Sequence, residues 1–125
     1  MVVDSSVILA ILFGEEHAGW AVEKLRQNRG DLAMSTVNLT EVLVRLEDRR
    51  PDLIEELEDR ILGAGIRFVP PDVEQARIAA CARLRFPLNL GDCFAYALAR
   101  VERSGVLTID ADFRAVDVPV VLPEG

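Results

Sequence analysis

The 125-residue chain carries one histidine, two cysteines and one lysine, and these scarcities remove several kinds of chemistry at once. Cys81 and Cys93 lie in apolar, helix-like surroundings with no CxxC pairing and no histidine nearby. That argues against a zinc site or a disulfide and for two buried free thiols. The lone His17 reads as a helix-surface residue rather than a general base. No apolar run approaches the eighteen or so residues of a membrane span, and the N-terminus lacks the basic segment of a signal peptide, so the expected location is the cytoplasm. Surplus positive charge is missing too. A net charge of −7 argues against a protein that coats nucleic acid, although an enzyme acting on nucleic acid remains open if metal ions and local arginines offset the acids. Lys24 is the only lysine, so thirteen of the fourteen basic residues are arginine, the side chain suited to bidentate phosphate contact. Arg45, Arg49, Arg85 and Arg114 are the candidates for that contact. Repeats, linkers and low-complexity stretches are absent.

What is present is an ordinary globular mix, 50% apolar and 28% charged, at a length that fits one domain over residues 1–125. Short β-rich runs alternate with helical patterns. Strands are expected at Met1 to Val3, Asp31 to Ser35, Ile66 to Val69 and Val106 to Ile109, with a fifth in "VPVVL" near the end. Between them fall helices at Ser6 to Phe13, His17 to Asn28, Asn38 to Arg49, Asp52 to about Leu62, Asp72 to about Leu84, and Gly91 to Arg103. This alternation predicts an α/β fold, a parallel sheet of four to five strands with helices on both faces.

In such sheets, sites form beyond the carboxyl ends of the strands, where strand order reverses. Asp4 follows the first strand, and Asp110 and Asp112 follow the fourth. Asp92 opens the helix leading into that strand, and Glu41 sits early in the helix after the second. Each acid has a structural explanation of its own. Asp4, Ser5 or Ser6 can cap the first helix. Asn38 to Glu41 resembles a capping box, and Glu41 can also pair with Arg45 one turn on. Asp92 can favour a helix dipole, and the aspartates of "TIDADF" can close a polar turn. The combination is harder to explain that way. Two carboxylates about 4 Å apart repel by roughly 4 kcal/mol at an effective dielectric near 20, so four or five at one rim require a cation. Hard oxygen donors without His or Cys suit Mg²⁺ or Mn²⁺ rather than zinc, and such centres serve phosphoryl chemistry.

"VVDSSVIL", "VNLTEVLVRL", "LNLGDCFAYALA" and "VLTIDADF" together resemble the PIN-domain nucleases, and most closely the VapC-type toxins of toxin–antitoxin pairs. The similarity spans the whole chain, in the family's order and spacing. The resemblance implies a single-domain α/β/α sandwich (PIN-like) and a pocket for one or two Mg²⁺ ions, with Mn²⁺ as an alternative. It implies endoribonuclease activity on tRNA, rRNA or mRNA by metal-activated water, a VapB-type antitoxin that covers the site, and a homodimer. By the same resemblance, Asp4 and Asp92 hold the principal metal and Glu41 is the third acid. Ser6 orients Asp4 or a water, and Thr108 lines the pocket. The fourth acid falls at Asp110 or at Asp112. Asp110 is preferred because it follows the strand most directly, with Asp112 in outer support. Two other readings stand beside this one: a catalytically inactive PIN-like binding module, and another acid-rim metal-dependent phosphohydrolase. A receiver-like phosphotransfer site is disfavoured, since Ser5-Ser6 replace its second acid and Lys24 lies in a surface helix.

Overall fold

The strands are short and mostly apolar, as a parallel sheet covered on both faces requires. In the computed structural model, which describes residues 1–124, they are β1 (Val2–Val3), β2 (Ala33–Ser35), β3 (Arg67–Val69), β4 (Val106–Leu107) and β5 (Val120–Val121). They form one sheet in the order β3-β2-β1-β4-β5, and every pairing is parallel. The helices are α1 (Ser5–Leu12), α2 (Ala18–Gln27), α3 (Thr36–Arg49), α4 (Ile54–Leu62), α5 (Val73–Arg85) and α6 (Leu90–Glu102). This is the expected α/β/α sandwich, with all five strands present.

Alternation along each strand divides the core into two layers. Val2, Ala33 and Val106 point to one face and pack with Ala79 and Ala82 of α5 and Ala95 and Leu98 of α6. Their neighbours Val3, Met34 and Leu107 point to the other face, against Val7, Ala21, Val42 and Ile61 from α1 to α4. The chain builds outward from β1 to β3 on one side and from β4 to β5 on the other. The order therefore reverses between β1 and β4, which pair Val2 with Val106 and Val3 with Leu107. A crevice opens beyond the carboxyl ends of those two strands.

Three local expectations need correction. Helix α3 starts at Thr36 with Ser35 as its cap, the Ser35 hydroxyl accepting from the Val37 N–H at 3.2 Å. Glu41 is therefore more than a turn into the helix and closes no capping box. The helix expected from Asp52 begins at Ile54 instead, and Asp52 pairs with Arg50 at 3.0 Å within a 3₁₀ turn at Pro51–Leu53. Cys93 is buried but Cys81 is exposed, because α5 meets its neighbour through Ala79 and Ala82 and the two residues between them face outward. Asp72 does cap α5, accepting from the Gln75 N–H at 2.9 Å. Among the described residues no helix is long and apolar enough to cross a membrane.

Candidate active site

Asp4 leaves β1 at the reversal point with only 1% of its surface exposed. It occupies the cap position of α1 in extended conformation, yet its side chain makes no capping hydrogen bond. Its Oδ2 instead accepts from the Ser6 hydroxyl at 2.7 Å and from the Thr108 hydroxyl at 2.9 Å. Those hydroxyls also accept backbone N–H groups, Ser6 from Ile109 and Thr108 from Asp110, each at 3.0 Å. The lattice ties the end of β1 to the segment after β4 and fixes the carboxylate. Its other oxygen, Oδ1, is buried with no partner. A desolvated, unpaired carboxylate oxygen costs several kcal/mol or more, and here it belongs to a residue that lines a cleft.

Asp92 enters from the opposite wall. Asn89 caps α6 by accepting from the Asp92 N–H at 2.8 Å, while the Asp92 carboxylate accepts from the Asn89 N–H at 3.3 Å, a reciprocal capping box. That bond uses Oδ2 and fixes the side chain at the mouth of a helix otherwise buried along most of its length. Glu41 reaches the same mouth from α3. Fully buried Asn38 donates from Nδ2 both to Glu41 Oε1 at 2.8 Å and to the Gly91 carbonyl at 3.0 Å. A Cβ on Gly91 would collide with the Glu41 carboxylate, so glycine is what lets this acid lie against α6.

Asp110 caps a 3₁₀ turn (Ala111–Ala115), its Oδ1 accepting from the Asp112 N–H at 2.9 Å. Asp4, Glu41, Asp92 and Asp110 all line one cavity of about 440 Å³, with Ser5, Ser6, Thr40, Arg45 and Asn89. Asp112 is exposed and outside that lining. The 3₁₀ turn directs it to solvent, two residues beyond the acid that lines the cleft. Thr108 is wholly buried and acts on the cleft through Asp4.

The charges act on one another as their crowding demands. Burial pushes the Asp92 carboxyl up to about 7, helped by the negative charges of Asp4, Asp110 and Glu41. Burial also raises the Asp4 carboxyl, against the Ser6 and Thr108 hydrogen bonds that favour its ionised form. The donor set is oxygen only, which suits a hard divalent cation. Among the described residues no three His, Cys, Asp or Glu side chains stand close enough to share one ion as they are placed.

Three contributors stand outside the acids that the sequence singles out. Asn89 had a signal, since Asn-x-x-Asp before an apolar run has the spacing of a capping box. Asn38 has the chemistry of a cap, but Ser35 takes that place and Asn38 holds Glu41. Gly91 looked like a helix start, and only the approach of a distant residue reveals its role.

The match to known proteins extends over the same elements. The family model described as "PIN domain" covers residues 1–119. Ribonuclease VapC42 of Mycobacterium tuberculosis is 35% identical over 127 aligned positions, covering 94% of this chain and 96% of that protein. Ribonuclease VapC of Mycolicibacterium smegmatis is 34% identical, covering 97% and 99%. Among solved structures, VapBC2 from Rickettsia felis, bound to a promoter DNA fragment, superposes with a TM-score of 0.81 at 11% identity, over 98% of each chain; that likeness is one of fold. The chain belongs to the PIN-domain family, in its VapC group.

Proposed function

We propose that this chain is a Mg²⁺-dependent endoribonuclease, the toxin of a type II toxin–antitoxin pair, acting in the cytoplasm and held in check by a VapB-type antitoxin. The observation that carries the reading is the orphaned, buried Oδ1 of Asp4 in a cleft lined by three further acids. The ribonuclease names of relatives at 34–35% identity support the substrate class, and the solved VapBC complexes of the same fold support the partner.

Asp4 and Asp92 would hold the ion, Asp4 steadied by Ser6 and Thr108 and Asp92 by Asn89. A bound Mg²⁺ supplies positive charge against the scissile phosphate and makes a water acidic enough to serve as nucleophile. Asp110 would add a third carboxylate at the rim. Asn38 fixes Glu41 by its Oε1, which leaves Oε2 to accept the proton of the attacking water. No side-chain nucleophile is needed, and the cleft lining holds no Cys, Lys or His.

Purified protein incubated with single-stranded RNA is expected to cut it in Mg²⁺ or Mn²⁺ and to stop in EDTA. Cleavage undiminished in EDTA, or none with any divalent ion, would reject the assignment. Gly91→Ala separates positioning from folding. The added methyl meets the far end of a flexible side chain, not backbone, so Glu41 should swing off Asn38 while the helix gains up to about 1 kcal/mol. Cleavage should fall about tenfold or more at unchanged or higher melting temperature; full activity would show that the position of Glu41 does not matter.

A further inference from the structure

We infer that the groove beside the acidic cleft seats the nucleotide next to the cleavage point, with Arg45 gripping the phosphate between the two; this rests on the nuclease reading above. The groove, about 390 Å³, is bounded by Ser6, Leu9, Ala10, Ile109 and the turn Glu15-Glu16-His17. It shares Ser6, Leu9, Arg45 and Asp110 with the cleft, so a strand can pass from one cavity into the other past the Arg45 side chain.

The charge balance requires a cation there. A phosphodiester entering a ring of carboxylates can share their counterion, but the next phosphate along the strand cannot and needs a positive partner of its own. Arg45 is the only Lys or Arg lining either cavity, and His17 of the groove is the only other basic side chain in the two linings. Its guanidinium is also uncommitted. The ion pairs among the described residues engage Arg26, Arg50, Arg60, Arg67, Arg85 and Arg100, not Arg45. Glu41, one turn earlier on α3 and its natural helical partner, is turned to Asn38 instead. An exposed arginine left unpaired between four cleft acids and two groove glutamates keeps its planar donor fork for a ligand oxygen.

The other arginines are placed differently. Arg85 pairs with Asp117 at 3.7 Å, Arg49 stacks 4.2 Å over the Phe13 ring, and Arg114 lines neither cavity. Glu15 and Glu16 set the strand's orientation. They repel phosphate but accept from the amino groups of base edges, so the seated nucleotide turns its base to this wall and its backbone to Arg45.

The test is steady-state cleavage of a short single-stranded RNA by wild type, Arg45→Ala and Arg45→Lys, over a series of salt concentrations. Losing one phosphate contact should raise KM about tenfold with kcat within about twofold, and should flatten the dependence of log KM on log salt by about one. Arg45→Lys should recover part of the KM and the full salt slope. Arg45 is exposed, so melting temperatures should coincide across the three proteins. An unchanged KM in Arg45→Ala, or a loss confined to kcat, overturns the inference while leaving the nuclease assignment standing. Absence of cleavage by wild type overturns both.

Discussion

Asp4→Asn is expected to abolish RNA cleavage, by on the order of 10³-fold, while the protein remains folded. The substitution keeps shape and volume. Ser6 and Thr108 can each rotate a hydroxyl to suit an amide in place of Oδ2, because both are held in position by backbone N–H donors that the change does not touch. What disappears is the negative charge at the one cleft oxygen that is buried and unpartnered, and a neutral amide is a poor ligand for a hard divalent ion. Cleavage of RNA by purified variant and wild type, with circular dichroism to confirm equal folding, measures the effect. Cells expressing the variant should grow while those expressing wild type arrest. Growth arrest equal to wild type would show that Asp4 has no such role.

The second large effect concerns Asp92 in the absence of divalent ions. In the folded chain its carboxyl is pushed up to about 7 from 3.8, so between roughly pH 4 and 7 the folded state holds a proton that the unfolded chain has released. A raised pKa stabilises the fold fully in acid. The contribution is lost as pH climbs through that window and the loss levels off above pH 7. Asp4, raised in the same direction, steepens the decline. Metal-free wild type should therefore become less stable from pH 4 to 7, the reverse of an ordinary surface carboxylate. Asp92→Asn should flatten the slope and, at pH 8 in EDTA, gain on the order of 2 kcal/mol in urea unfolding. The asparagine carbonyl can still accept from the Asn89 N–H, so the cap survives. Adding Mg²⁺ should narrow that gap, since the wild type gains more binding free energy than the variant. A variant less stable than wild type at pH 8 in EDTA would mean that Asp92 is a structural cap and not a strained acid.

Much of this molecule could be read before its fold was known, because the parallel-sheet rule turns sequence position into place. Asp4 and Asp110 were assigned to the rim for following β1 and β4, and the strand order puts both at the reversal. The sequence could not decide where periodicity meets irregular backbone. Ser35 and Asn38 both precede the apolar stripe of α3, and either has the chemistry of a cap; Ser35 wins by lying directly at the strand end, which frees Asn38 to hold Glu41. Asp110 and Asp112 differ only through the geometry of a 3₁₀ turn. Cys81 lies on an alanine-rich helix whose packing face is set by α6. A glycine just past the end of α6 has the look of a helix stop, but it is Arg103 that adopts the left-handed conformation there, at φ 52°. Gly105 is required instead by the Pro119 carbonyl, which a Cβ would approach to 2.9 Å.

The cleft carboxylates should bind a divalent ion without RNA present. Calorimetric titration of Mn²⁺ into the RNA-free protein addresses this directly, with wild type and Asp92→Asn compared at the same pH. Saturable binding by wild type, weakened at least about tenfold in the variant, is the expected result. No saturable binding by wild type, or equal affinity in both proteins, would contradict it.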